Sequence, residues 1–244
     1  MPPAPAVVTR KREIRWCSVL LAACVAGPWG VGAADAQTAR FPPADRPVAP
    51  IVTPAYSTEA ERDAHGEAER VLNRLGVKPG RRVADVGAGD GYYTVRFAKR
   101  LGSGGTIYAE DVTHAYLDRL AARLTREGIA GVTIVHGTPA DPRLPAQSID
   151  LALLAHMYHE VEQPYEFLYR LHAALAPGAR VAIIDNDKPT EKHGTPPALL
   201  RCELAAVGYR QVDFLELAPA DGYLAVFAPP EALPRPEDIR PCRR

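Results

Sequence analysis

The chain has 244 residues, 47% of them hydrophobic and 24% charged, with 29 basic against 29 acidic side chains. That length holds one large domain with a sizeable core, and the composition excludes a disordered polymer. Zero net charge, with no basic cluster beyond the N-terminus, argues against nucleic acid as a partner, because phosphate binding draws on clustered cations.

The first segment has the order of an export signal. A basic run, Arg10-Lys11-Arg12-Glu13-Ile14-Arg15, precedes an apolar stretch from Trp16 to Gly27 and the small residues Ala33-Ala34-Asp35-Ala36. The expectation is a signal peptide over 1–36, cleaved after Ala36, and a periplasmic protein that begins at Gln37. The apolar stretch falls short of the ~20 residues that span a bilayer as a helix, so no transmembrane span is expected in the mature chain. A second reading takes Leu21-Ala22-Ala23-Cys24 as a lipidation site at Cys24. A third keeps the protein in the cytoplasm with 1–36 as a helical tail. Removing 1–36 takes four basic and two acidic side chains with it and leaves the remainder slightly acidic.

Residues 37–57, with Pro42, Pro43, Pro47, Pro50 and Pro54, read as an extended linker. The main domain is expected over 58–228. Its first helix has Ser57 or Thr58 as its cap and an apolar face of Ala64, Ala68, Val71, Leu72 and Leu75, stopped by Gly76. Strands and helices then alternate. Strands are predicted over 82–86, 106–109, 132–135, 151–154 and 181–184, and helices over 92–101, around 117–124, over 165–176 and over 199–207. Two last β runs, 211–217 and 223–227, are separated by a turn and form a hairpin. This order implies an α/β domain with a mostly parallel sheet, helices on both faces and ligands beyond the carboxyl ends of the strands. Residues 229–244 hold five prolines and read as a loose tail. Cys202 and Cys242 read as two free thiols, although an oxidising compartment permits a disulfide. No Cys or His spacing of metal-binding type is present, and no metal is expected.

The first strand runs into Asp85-Val86-Gly87-Ala88-Gly89-Asp90-Gly91. Glycines two apart let the backbone turn sharply and let a ligand approach with no Cβ in the way. The helix that follows at once aims its free N–H groups at the same crevice. A dinucleotide fingerprint places its third glycine five positions after the first. Here Gly91 follows Gly87 by four, and the D-x-G-x-G-x-G form resembles motif I of the class I S-adenosylmethionine-dependent methyltransferases. Ser148-Ile149-Asp150-Leu151, Leu175-Ala176-Pro177-Gly178 and the final hairpin resemble later parts of that family, in the same order. The resemblance covers roughly residues 58–228. It implies a doubly wound, Rossmann-like, seven-stranded sheet with a C-terminal antiparallel hairpin, and S-adenosylmethionine as cofactor. Asp85, Gly87, Gly89 and Gly91 would then form the cofactor loop. Asp111, with Glu110 in reserve, stands where the family binds ribose hydroxyls. Thr138 stands where many members carry an acidic residue for the adenine amino group, and Asp141 is the substitute.

The acceptor side rests on loops. Tyr158, His159 and Glu160 follow the fourth strand, where small-molecule methyltransferases of the family often carry a Tyr-His-x segment. His193 lies in a Gly/Pro loop after the fifth strand, which itself ends in Asp185-Asn186-Asp187. The resemblance implies methyl transfer to a small molecule by alignment, with Tyr158, His159 and His193 as catalytic candidates and a histidine as proton acceptor. The alternatives are an exported binding protein of the same fold without catalysis and, against the glycine spacing, a nicotinamide-dependent oxidoreductase. The acceptor itself and the oligomeric state are not readable from the sequence.

Overall fold

The computed structural model describes residues 40–51, 59–218 and 221–243. The expected export signal over 1–36, Cys24, and the expected capping residues Ser57 and Thr58 lie outside them. The expected α/β architecture is present. Strands β1 (Arg82–Val86), β2 (Thr106–Asp111), β3 (Val132–His136), β4 (Ile149–Ala155), β5 (Leu175–Asp185), β6 (Arg210–Glu216) and β7 (Tyr223–Ala228) make one seven-stranded sheet. Their spatial order is β3-β2-β1-β4-β5-β7-β6, with β7 antiparallel to both neighbours and all other pairs parallel.

Both faces of the sheet are covered, which is why β1, β4 and β5 read as apolar runs rather than alternating ones. Helices α2 (Glu67–Arg74) and α3 (Tyr92–Leu101) pack Val71, Leu72, Phe97 and Leu101 against one face. Helices α5 (Pro164–Ala174) and α6 (Pro197–Ala206) pack Leu168, Leu171, Leu200 and Leu204 against the other. Helix α4 (His114–Arg126) covers β2 and β3 with Leu120 and Leu124. The chain winds outward from β1 to β3 and then returns to β4 on the far side of β1. The winding therefore reverses between β1 and β4, and a crevice opens beyond their carboxyl ends.

One expectation about the elements changes. The helix expected before β1 is two, because Gly66 turns left-handed (φ 67°) between α1 (Glu59–Ala64) and α2. The break frees α1, which has no buried residue, to lie over the crevice. The β3–β4 connection (137–148) is turn and coil.

Both proline-rich flanks are also pinned. Arg46 is buried and donates to Glu203 of α6 (2.8 Å), with further contacts to the carbonyls of Tyr158, His159 and Val161. The Ala49 N–H donates to the His159 carbonyl (3.1 Å). At the other end Ile239 joins the core, and Cys242 forms a disulfide with Cys202 of α6. The free-thiol and loose-tail expectations are thus corrected: proline removes regular structure but leaves side chains available for docking. Reduction of this bond, which closes a 40-residue separation, is expected to lower stability by about 2–4 kcal/mol. Denaturant melts with and without reductant measure it.

Candidate active site

A cavity of about 610 Å³ lies at the carboxyl ends of the central strands, in the size range of small-molecule sites. One wall is the glycine loop after β1. Gly87, Ala88 and Gly89 line it, and both glycines have positive φ (70° and 54°). A Cβ built on Gly89 meets nothing within 4 Å, so the space beside this backbone is open to a ligand. Gly91 does not line the cavity, contrary to expectation. It caps α3, and a side chain there would strike Leu120 in the core.

The ends of β2 and β3 complete that wall. Asp111 accepts the Gly89 N–H (2.9 Å) and the Thr113 N–H (2.8 Å), tying the glycine loop to the head of α4. Glu110 is buried beside it and accepts the Gly87 N–H at 3.4 Å through one oxygen. Burial and the neighbouring Asp111 push the Glu110 carboxyl well above its usual range. Its other oxygen, Oε1, has no partner among the described residues, which is the kind of buried polar atom that a ligand hydroxyl satisfies. Thr138 lines the cavity and Asp141 does not. Asp141 turns back on its own loop, its N–H donating to Thr138 Oγ1 and its carboxylate accepting the Arg143 N–H.

Asp85 is likewise displaced from the expected set. It lies beneath the cavity floor, accepting the Thr94 hydroxyl (2.6 Å), and burial raises its pKa from 3.8 to about 6. A raised carboxyl binds its proton more tightly in the folded protein. Its stabilising effect is therefore full below pH ~4 and fades as pH rises through about 6. Relative to Asp85→Asn, the wild-type melting temperature is expected to fall across that window. Parallel profiles would remove the burial argument.

The opposite end of the cavity is built from the loops after β4 and β5. His159, on a 3-10 turn (Tyr158–Glu160), is 2% exposed, and its Nδ1 lies 2.9 Å from Asp185 Oδ1. Asp185 is fully buried and also accepts the Thr195 hydroxyl (2.7 Å) and the Asn186 N–H (2.8 Å). It is thus no solvated turn: it fixes the imidazole as the Nδ1–H tautomer and leaves the Nε2 lone pair for the cavity side. Glu160 and His193 join His159 there. Burial, then the nearby His159, holds the His193 pKa below its usual value. Tyr158 is not part of the site. It does not line the cavity, and it is buried with its ring centroid 5.6 Å from the Arg46 guanidinium.

No local pattern marks the third wall. Glu67 of α2 is fully buried, lines the cavity, and accepts from Arg62 (2.7 Å) and the Tyr93 hydroxyl (2.7 Å). Burial pushes its pKa up, but His156 and Arg62 outweigh this and hold it well below the carboxylate range. An acidic residue amid a helical pattern reads as a solvated face, so only the fold reveals its burial. Met157, between His156 and Tyr158, packs so close to Gly87 that a Cβ there would meet its Cγ at 2.7 Å. It marks the junction between the glycine loop and the histidine end.

Residues 84–183, from β1 to near the end of β5, match the methyltransferase-domain family. The match coincides with the strand order and the glycine loop just described. The chain carries a class I S-adenosylmethionine-dependent methyltransferase domain. Such domains take S-adenosylmethionine as cofactor, and the open space at Gly89 together with the unpartnered Glu110 oxygen fits a bound nucleoside. A solved S-adenosylmethionine-dependent methyltransferase from Aquifex aeolicus is 26% identical, with a TM-score of 0.60 over 66% of this chain and 87% of that one. Among curated proteins, a ubiquinone/menaquinone biosynthesis C-methyltransferase of Marinomonas sp. is 27% identical over 63% of this chain and 57% of its own. A demethylmenaquinone methyltransferase of Geobacillus kaustophilus is 24% identical over 50% and 52%. The chain thus spans about half the length of the curated relatives it matches. The [4+2]-cyclase SpnF, 16% identical with a TM-score of 0.58, shares the fold of this methyltransferase domain alone.

Proposed function

We propose that the protein transfers a methyl group from S-adenosylmethionine to a small-molecule acceptor. The observation that carries this reading is one cavity with a glycine-lined nucleoside wall at one end and a carboxylate-held histidine at the other. The bound cofactor supplies a sulfonium methyl that is already activated. The protein's task is alignment, and holding the acceptor behind that methyl supplies most of the acceleration. Asp111 and Glu110 bind and orient the ribose hydroxyls. Met157 separates the two ends, and α1 covers the cavity and excludes water. The acceptor's reacting atom sits by His159, through which its proton is drawn off, with Asp185 holding the ring in place.

Asp111→Ala is expected to weaken cofactor binding by about 1–3 kcal/mol, through lost charged hydrogen bonds. Unchanged affinity would assign the ribose contact to Glu110. Turnover is tested by release of S-adenosylhomocysteine with an acceptor panel that begins with demethylmenaquinone, the compound in a relative's name. Acceptor-dependent release that drops in His159→Asn, with cofactor affinity kept, supports the reading. Tight cofactor binding with no release for any acceptor favours a binding protein of the same fold.

Export completes the proposal. The order of charge, apolar core and small residues over 1–36 supports it, and so does the Cys202–Cys242 disulfide, a bond of oxidising compartments.

A further inference from the structure

The histidine end of the cavity holds more than a proton acceptor needs. Ligand atoms of His159, Glu160 and His193 all lie within 4.8 Å of one another, the one such three-residue group among the described residues. We propose that these three side chains bind a single divalent transition-metal ion of the zinc class, with a further coordination position open to the cavity.

Four features point the same way. Two imidazoles and one carboxylate form a donor set that suits such an ion, and three protein ligands with an open position is the pattern of a catalytic rather than a structural site. Nε2 of His159 stands 3.9 Å from Oε1 of Glu160. An ion about 2.1 Å from each ligand holds tetrahedral neighbours about 3.4 Å apart, so no pair of these atoms has to close by more than about 1.4 Å. The bond from Nδ1 of His159 to the buried Asp185 is the outer-shell carboxylate contact that metal-binding histidines carry, and it leaves Nε2 as the ligating atom. His193 is held in the left-handed region (φ 54°), uncommon for a residue with a side chain. That backbone brings its ring edge-on to His159, with centroids 5.3 Å apart. A 34-residue gap between His159 and His193 hides the group from any spacing rule, so the expectation of no metal had no access to it.

The ion's use in catalysis rests on the methyl-transfer reading; its binding does not. With the ion in place, His159 acts on the acceptor's proton through the metal instead of directly. The open position then selects acceptors that present an oxygen acid, such as a phenol or enol, whose hydroxyl becomes more acidic on coordination.

The test uses the full chain, stripped with a chelator and titrated calorimetrically with Zn²⁺ and, for its visible spectrum, Co²⁺. One ion per chain and a four-coordinate Co²⁺ spectrum are expected. His193→Ala and Glu160→Gln should each weaken binding at least 100-fold, and Asp185→Asn about 10–100-fold as a positioning change. His114→Ala, which breaks the stacked His114–His136 pair and removes neither a lining residue nor a proposed ligand, should leave metal affinity unchanged. Thermal melts of each variant confirm folding. The absence of saturable binding, or binding unaffected by His193→Ala, overturns the proposal. A parallel titration with S-adenosylmethionine separates the two readings: cofactor binding without metal binding removes only the ion, and the reverse removes only methyl transfer.

Discussion

Gly89→Val is expected to weaken S-adenosylmethionine binding more than 100-fold while leaving the protein folded. Gly89 lines the cavity, and no atom of the described residues beyond its chain neighbours lies within 4 Å of the position its Cβ would take. The new side chain therefore meets no core atom and occupies ligand space. Its backbone sits at φ 54°, where a side chain costs about 1–2 kcal/mol of stability, more for a β-branched one. Gly91→Ala provides the contrast, because its Cβ runs into Leu120, a fully buried core residue. It should lower the melting temperature and affect binding only through that loss. Calorimetric affinities set beside thermal melts for the two variants separate a ligand wall from a packing contact. Retained affinity in Gly89→Val would sink the assignment of this loop to the cofactor.

Arg46→Ala is expected to be the most destabilising of the single changes considered. Arg46 and Glu203 have fully buried side chains, and truncation leaves the Glu203 carboxylate without its counter-charge in the core. Breaking one partner of a buried pair costs about 3–5 kcal/mol. For a domain of this size that is a fall of roughly 6–20 °C in melting temperature. The same guanidinium holds the carbonyls of Tyr158, His159 and Val161, so the loop that carries His159 should loosen with it. Arg46→Met combined with Glu203→Leu should recover much of the stability, because no lone charge remains. A double variant as unstable as the single one would show that the loop contacts, not the ion pair, dominate.

What was legible in the sequence was local. Periodicity located every strand, and the glycine loop stands where a strand runs straight into a helix, so Gly87 and Gly89 could be placed at the crevice from neighbouring residues alone, whereas Asp111 rests on the family resemblance. The errors fall where adjacent residues diverge. Tyr158 and His159 share a tight turn, yet only His159 lines the cavity; Asp141 satisfies its own turn, and Asp85 and Gly91 serve the packing under the loop. The unforeseen features are long-range. Asp185 meets His159 from 26 residues away, Arg46 meets Glu203 from 157, and the Cys202–Cys242 bond spans 40. Local pattern carries no information about such pairings. Gly66 turns left-handed between α1 and α2, a break that one glycine in a helical pattern does not announce.

The most direct test is calorimetric titration of the purified chain, disulfide intact, with S-adenosylmethionine, S-adenosylhomocysteine and NAD. Saturable one-to-one binding of the first two and none of NAD is the expected result. Binding of none of the three, or of NAD alone, would contradict the assignment of the cavity to this cofactor.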